Sequence, residues 1–326
     1  MLTTFFYNHG KIETNLSRPQ MFSVLAKKEG LLWLDLENPT EFEEEVLIEL
    51  FNFHPLAVED CLSDSQHPKV DDYQEYLYLV VHSPQVTRAD GGKKDVLGTK
   101  ELDLFLGPNF VVTFHRVPIE TIVQIRQNIT KSSERLMGHG SDLLVYSLLD
   151  QLVDSYQPIL DLYEDKMDML EAEAFDHPDK NYLPTVIQMK RDIFQLRRVI
   201  APQRDALNFL SRNTNPLIRL EHMMYFRDVY DHLFRIYGSV EAFQENMNSL
   251  LQAYFSFSSN KLNEIMKRMT VLATLTMPSV IIAGIYGMNF KHIPELQWQH
   301  GYYFSYALMA ATSISMLIWM KWKKWI

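Results

Sequence analysis

The sequence is poor in the residues that staple small folds or run hydrolytic chemistry. One cysteine, Cys61, in 326 residues excludes a disulfide framework. A lone thiol with no matched His/Asn context reads as a small packed hydrophobe in a reducing compartment. No G-x-x-x-x-G-K-[ST] phosphate loop, catalytic triad or zinc-hydrolase spacing occurs, and the 11 histidines are scattered. These absences argue against an enzyme and against ATP-driven work. Positive charge is also scarce, with 31 Lys+Arg against 41 Asp+Glu. A formal charge of −10 excludes a bulk nucleic-acid binder, whose surface must be positive. Residues 1–13 lack the basic start and long apolar stretch of a signal peptide, so no cleaved leader is expected.

Charge is missing most sharply near the C-terminus. No Asp, Glu, Lys or Arg occurs from Met269 to Phe290, nor from Leu296 to Met320. Each gap is long enough for a helix across roughly 30 Å of hydrocarbon, which takes about 20 residues. Thr270–Tyr286 is mostly aliphatic, and Tyr302–Met320 has small residues inside with aromatics at both ends. A buried hairpin in a soluble core would show the same composition, but the lengths favour two membrane spans. Residues 261–326 hold seven basic residues against Glu264 and Glu295, a charge of +5. The first 260 residues then hold 24 basic and 39 acidic, or −15. Lys261, Lys267 and Arg268 precede the first span, and Lys321, Lys323 and Lys324 follow the second. By the positive-inside rule both chain ends face the cytoplasm and the loop between the spans lies outside.

Residues 1–137 read as a cytoplasmic α+β domain. Strand-like runs occur at Leu31–Leu36, Tyr76–His82 and Leu102–His115, the last split into a hairpin by Gly107-Pro108-Asn109. Glu41–Phe51 reads as a helix with Thr40 as its N-cap, and Asp90-Gly91-Gly92 as a loop. Strand signals then vanish. Ser141–Phe175 is expected as one long helix, kinked at Pro158 and closed near His177-Pro178. Tyr182–Arg212 is a second, with Pro184 in its first turn, a kink at Pro202 and a stop at Asn213-Thr214-Asn215-Pro216. A third runs from near Leu220 to Tyr286 with no proline before Pro278, on the order of 100 Å if continuous. It would carry a cytoplasmic stalk straight into the first span.

The first span ends in Tyr286-Gly287-Met288-Asn289-Phe290, and a short loop carries Pro294-Glu295-Leu296. Together with the final span and the Lys/Trp tail, this resembles the CorA family of divalent-cation channels. The likeness continues in His54-Pro55-Leu56-Ala57-Val58-Glu59-Asp60, in Pro68-Lys69-Val70 and in Tyr225-Phe226-Arg227-Asp228-Val229-Tyr230-Asp231-His232. It implies an α/β/α sandwich domain, long helices and a two-helix transmembrane hairpin, assembled as a homo-oligomer, in the family a pentamer. The implied divisions are 1–137 α/β domain, 138–219 antiparallel helices, 220–269 stalk, 270–290 first span, 291–301 external loop, 302–320 second span and 321–326 basic tail. The implied location is a bacterial-type inner membrane.

Two spans cannot enclose a pore, so conduction needs several copies around an axis. Counting back from Asn289 at helical steps gives Gly284, Val280, Met277, Ala273, Met269 and Met266, a stripe of mostly small or flexible side chains. Alone it could be a helix-packing stripe. The resemblance aligns it with the CorA pore face, from which Val280 departs where Thr or Ser is common. Mg²⁺ dehydrates reluctantly, and a ring of Asn289 amides with backbone carbonyls from Gly287 and Met288 could bind its water shell without trapping it. Gly287 is expected to provide the turn that presents those carbonyls. Glu295 either attracts cations or is a solvated charge.

The resemblance makes Asp228 a ligand of regulatory Mg²⁺ held between subunits, with Asp71 and Asp72 as partners; a salt bridge or exposed turn explains that pair equally. Asp161, Glu164, Asp165, Asp168 and Glu171 form an acidic stripe, read as a solvated face or part of a sensor. The function expected is passive Mg²⁺ influx, also admitting Co²⁺ or Ni²⁺, with no organic cofactor and no nucleic-acid partner. The alternatives are a Zn²⁺ transporter of the same superfamily or a membrane-anchored adaptor.

Overall fold

The computed structural model describes residues 1–63, 67–89, 94–176, 182–212, 215–289, 291, 293–323 and 325. The loop expected at Asp90-Gly91-Gly92, the helix closure at His177-Pro178, the Asn213-Thr214 part of the turn, and Phe290, Lys324 and Ile326 lie outside the described residues. The chain divides into two units, Met1–Leu250 and Leu251–Ile326.

The first unit is built on a seven-stranded sheet. Its strands are β1 (Leu2–Asn8), β2 (Lys11–Thr14), β3 (Leu31–Glu37), β4 (Lys69–Asp72), β5 (Leu77–Ala89), β6 (Lys94–Leu106) and β7 (Phe110–His115). Their spatial order is β2-β1-β3-β7-β6-β5-β4. Every pairing is antiparallel except β3 with β7. The β6–β7 hairpin turns where Gly107-Pro108-Asn109 places it, and glycine is required because a Cβ at Gly107 would collide with the Phe110 ring.

Helices α1 (Arg18–Lys27), α2 (Glu41–Glu49) and α3 (Pro55–Leu62) cover one face of the sheet. The core there takes alternate residues of each strand: Leu32, Leu34 and Leu36 from β3, Tyr78 and Val80 from β5. The intervening Trp33, Leu77, Leu79 and Val81 are equally buried on the opposite face. There α4 (Glu120–Asn128), α5 (Ser133–Met137), α6 (Ser141–Asp154) and part of α8 (Leu183–Arg212) pack. Burial on both faces is why the strands read as apolar runs without alternation. Two helical layers around one sheet make the α/β/α sandwich.

Thr40 opens α2 as expected, its N–H donating to Glu43 Oε2 at 2.9 Å. The helix expected over Ser141–Phe175 is two helices. α6 stops at Asp154, and α7 (Gln157–Asp176) begins with Pro158 in its first turn, where a missing N–H does no harm. Tyr156 fills the break, fully buried, its hydroxyl donating to the His82 carbonyl at 2.8 Å. Helix α8 continues across Pro202. A short 3-10 turn at Leu220–His222 leads into α9 (Met223–Tyr286), a 64-residue helix that starts in the first unit and ends in the second.

The second unit holds the end of α9, a 3-10 turn at Pro294–Gln297 and α10 (Gly301–Trp322). Gly301 has no room for a side chain, because a Cβ would strike the Glu295 carbonyl. The helices meet through Ser313, whose Oγ donates to the Leu275 carbonyl at 3.2 Å and lies 3.3 Å from Ser279 Oγ. The threonine hydroxyls of this stretch are satisfied within their own helix, Thr270 by Met266 O and Thr274 by Thr270 O. That arrangement suits a solvent that offers no hydrogen bonds.

Candidate functional site

At about 100° per residue, the half-buried Val271, Leu275, Ser279, Ile282 and Tyr286 of α9 fall on one face, the one that meets α10. Met266, Met269, Ala273, Met277, Val280 and Gly284 lie within about 60° of the opposite direction. All six are exposed in the chain, Met277 by 64 % and Val280 by 67 %. Contact with α10 therefore does not account for the stripe.

The stripe runs to the C-terminus of α9. Gly287 N–H still donates to Ala283 O at 2.9 Å, and Met288 N–H to Ile285 O at 3.2 Å. Among the described residues no further helical N–H follows these, and helix ends of this kind carry partial negative charge. Gly287, Met288 and Asn289 are all exposed there. The expected reason for Gly287 needs correction. It is not among the glycines with positive φ, which are Gly10, Gly30 and Gly140. A Cβ at Gly287 would instead press on the Ala283 carbonyl at 3.2 Å, so the small residue keeps the helix end uncrowded. Glu295 is half-buried in the 3-10 turn, its backbone pinned by the Trp298 N–H at 3.2 Å.

The acidic candidates separate into two places in the first unit. Asp71 lies on edge strand β4 and is paired with Lys69 at 2.6 Å; Lys69 also holds Asp60 at 2.5 Å. Asp72 accepts from Gln74 N–H and from Asn215 Nδ2, each at 2.8 Å. Asp228 is exposed on α9, with Asp150 and Asp154 of α6 in its electrostatic neighbourhood. Asp154 pairs with His232 at 3.2 Å. Burial, then the charges of Asp154 and Asp228, push the Asp150 carboxyl up, against the opposing pull of His232. Asp150 and Asp154 carry no sequence motif and escape a reading along the chain. Their only local signal is i,i+4 spacing on one helix.

On α7 the acidic stripe is a solvated face: Asp161, Glu164, Asp165 and Asp168 are exposed and Glu171 half-buried, opposite the buried Tyr163, Met167 and Leu170. Cys61 is a buried packing residue whose thiol is pushed up by that burial.

Among the described residues, one group of His and carboxylate side chains brings its oxygens and nitrogens within 4.8 Å: Asp35, Glu37 and His115. Arg126 already pairs with both of its carboxylates, with Nη1 2.8 Å from Asp35 Oδ2 and 2.9 Å from Glu37 Oε2. Thr113 Oγ1 donates to Asp35 Oδ1 at 2.5 Å, and His115 Nε2 lies 3.2 Å from the same oxygen. Burial alone would raise Asp35, but His115, Thr113 and Arg126 outweigh it and hold the carboxyl below its ordinary value. This is a structural ion network across β3, β7 and α4.

Comparison with known proteins matches residues 28–323 to the model of a family described as CorA-like Mg²⁺ transporter protein. The cobalt/magnesium transport protein CorA of Thermotoga maritima is 38 % identical over 278 residues, covering 85 % of this chain and 78 % of that protein. The complete structure of the CorA magnesium transporter from Methanocaldococcus jannaschii superposes with a TM-score of 0.84 over 100 % of this chain and 99 % of that one, at 21 % identity. The cytoplasmic domain of ZntB from Vibrio parahaemolyticus covers 79 % of this chain and 98 % of its own, with a TM-score of 0.59 at 15 % identity, a likeness of fold alone. With two helices long and apolar enough to cross a membrane, the chain belongs to the CorA-like family of divalent metal ion transporters, membrane proteins that are not enzymes.

Proposed function

We propose that this protein is a passive, membrane-potential-driven Mg²⁺ influx channel that also admits Co²⁺ or Ni²⁺. It would work as a homo-oligomer, a pentamer by family likeness, in a bacterial-type inner membrane with both chain ends cytoplasmic. The observation that carries this reading is the position of the stripe. Small and flexible side chains from Met266 to Gly284 face away from α10 and lead to Gly287-Met288-Asn289. Copies arranged with this face inward would line a path with apolar constrictions at Met269 and Met277, where an ion stripped of its water would find no ligands. At the outer mouth, neutral Asn289 amides and helix-end carbonyls would hydrogen-bond the hydrated ion, with Glu295 raising its local concentration. The membrane potential supplies about 2.3 kcal/mol per charge per 100 mV.

Closure would be feedback by cytoplasmic Mg²⁺. Asp228 lies among Asp150 and Asp154, and their mutual repulsion favours a divalent cation over none. With Asp71 and Asp72 of a neighbouring copy, that group would hold subunits together and keep the path shut. Loss of the ion would let like charges loosen the stalk, an equilibrium the ion shifts only by binding the closed state better. Helix α9 carries both Asp228 and the stripe, so one continuous helix runs from one to the other. The functional divisions follow: 1–137, 138–219 and 220–269 for sensing, 270–290, 291–301 and 302–320 for conduction, 321–326 as tail.

Mg²⁺ uptake into liposomes bearing the purified protein tests the proposal. Asn289→Ala should abolish uptake while the assembly keeps its size on gel filtration. Unchanged uptake would remove Asn289 from the path, and stronger Zn²⁺ than Mg²⁺ flux would replace the cargo.

A further inference from the structure

Outside the proposed path, the second unit concentrates cations and indoles at one end of its helix pair. Ser313 of α10 sits beside Leu275 and Ser279 of α9, and α10 returns along α9 after the Pro294–Gln297 turn. With about 1.5 Å of rise per residue in each helix, Lys321 and Lys323 fall within about a turn of the level of Lys267 and Arg268. Arg268 is engaged by Glu264 at 2.5 Å. Lys267, Lys321 and Lys323 are exposed, and no described carboxylate forms an ion pair with them. The Lys323 ammonium lies 5.3 Å from the centroid of the Trp322 ring. Trp319, Trp322 and Trp325 lie in the same stretch of sequence and are also exposed. The opposite end of the pair carries Lys291 and Glu295, so the positive excess is one-sided.

We infer that this collar is a selective binding site for anionic phospholipid headgroups. The lysines at 267, 321 and 323, spread around this end of the helix pair, attract the phosphates of the lipids around it, and the indoles of Trp319, Trp322 and Trp325 settle at glycerol and upper acyl-chain depth. Three features fit this one occupant. Indole rings settle at headgroup depth, where a free anion has nothing to offer them. Lysines without carboxylate partners retain their full attraction for a negative surface. Uncharged lipids satisfy the indoles but leave the lysines unmatched. The inference rests on the membrane reading above and adds to it a ligand of defined charge on the cytoplasmic side.

Native mass spectrometry of the full-length protein, titrated with phosphatidylglycerol or with phosphatidylcholine of the same acyl chains, reads the preference directly. The expected result is several-fold more phosphatidylglycerol bound, reduced about fivefold by each of K267Q, K321Q and K323Q. K291Q, at the other end, should leave it unchanged. Equal binding of the two lipids, or an equal loss in K291Q, would overturn the inference. Displacement of phosphatidylglycerol by inorganic phosphate at matched concentration would also overturn it, by making the collar a general anion site. Flotation with pure phosphatidylcholine vesicles keeps the two readings apart. A protein that floats without any headgroup preference ends the collar proposal alone, whereas a protein that does not float ends the membrane reading.

Discussion

The two units of this chain treat the same kinds of residue in opposite ways. In the first, Leu32, Trp33, Leu34 and Leu36 are fully buried, and a charge that enters the sheet at Asp35 is matched on every side. In the second, Met277, Val280, Ile281 and Ile285 stand more than half exposed, and nothing among the described residues covers them. The first unit solves its burial problem with its own residues. The second leaves the solution to lipid and to further copies, because a bilayer supplies the apolar surroundings that water denies. Stability should therefore be concentrated in one unit and conduction in the other, and substitutions can test how cleanly they divide.

The largest effect on stability is expected at Asp35. Asp35→Asn leaves Arg126 and His115 facing a neutral amide inside the sandwich, and losing one partner of a buried network costs about 3–5 kcal/mol. Chemical denaturation followed by circular dichroism in the first unit would measure it. The pH dependence has a definite sign. Because the native carboxyl is held below its unfolded value, its stabilisation is complete above about pH 4 and is lost as pH falls through the lower native value. The gap between the native protein and Asp35→Asn should stay constant from neutral pH down to about pH 4 and narrow only below it. A gap that closes already near neutrality would mean that this charge network is not what the unit relies on.

A smaller effect, on regulation rather than folding, is expected at Asp228. Asp228→Ala removes one exposed carboxylate from the Asp150–Asp154 group and leaves the sandwich untouched. Typical couplings between sites are about 1–3 kcal/mol, so the internal Mg²⁺ needed to stop uptake should rise about tenfold. Liposomes loaded with graded Mg²⁺ would read that threshold. An unaltered threshold would confine Asp228 to the surface chemistry of α9.

What could be read from the sequence follows the same division. The spans, the β6–β7 hairpin and the Thr40 cap were legible because local pattern alone determines them: a charge gap, a Gly107 turn, a capping residue before an apolar run. The break between α6 and α7 was not, since Pro158 suits a first turn as well as a kink. Tyr156 decides between them only once His82 is brought beneath it. The edge strand β2 leaves no apolar pattern in the sequence because it is mostly exposed. Asp150 and Asp154 became visible only when the fold set α6 beside Asp228. Long-range neighbours of this sort leave no trace in spacing.

The smallest expected stability change is at Val280, and it separates the two meanings of the stripe. Val280 is 67 % exposed in the chain, so Val280→Ser removes little packing that the chain itself provides. If its face lines a water-filled path, the substitution should move stability by less than about 0.5 kcal/mol, as exposed changes usually do. The assembly should then melt as before, while Mg²⁺ uptake changes because a hydroxyl ring now meets the hydration shell where a methyl ring stood. If the face instead packs against the next copy, Val280→Ser loses interfacial packing. The oligomer should then dissociate at lower detergent-protein ratios, with uptake falling in proportion to the assembly lost. Thermal melting of the oligomer and uptake per assembled oligomer, measured on one preparation, distinguish the two, since only a path-lining Val280 changes the second while leaving the first alone.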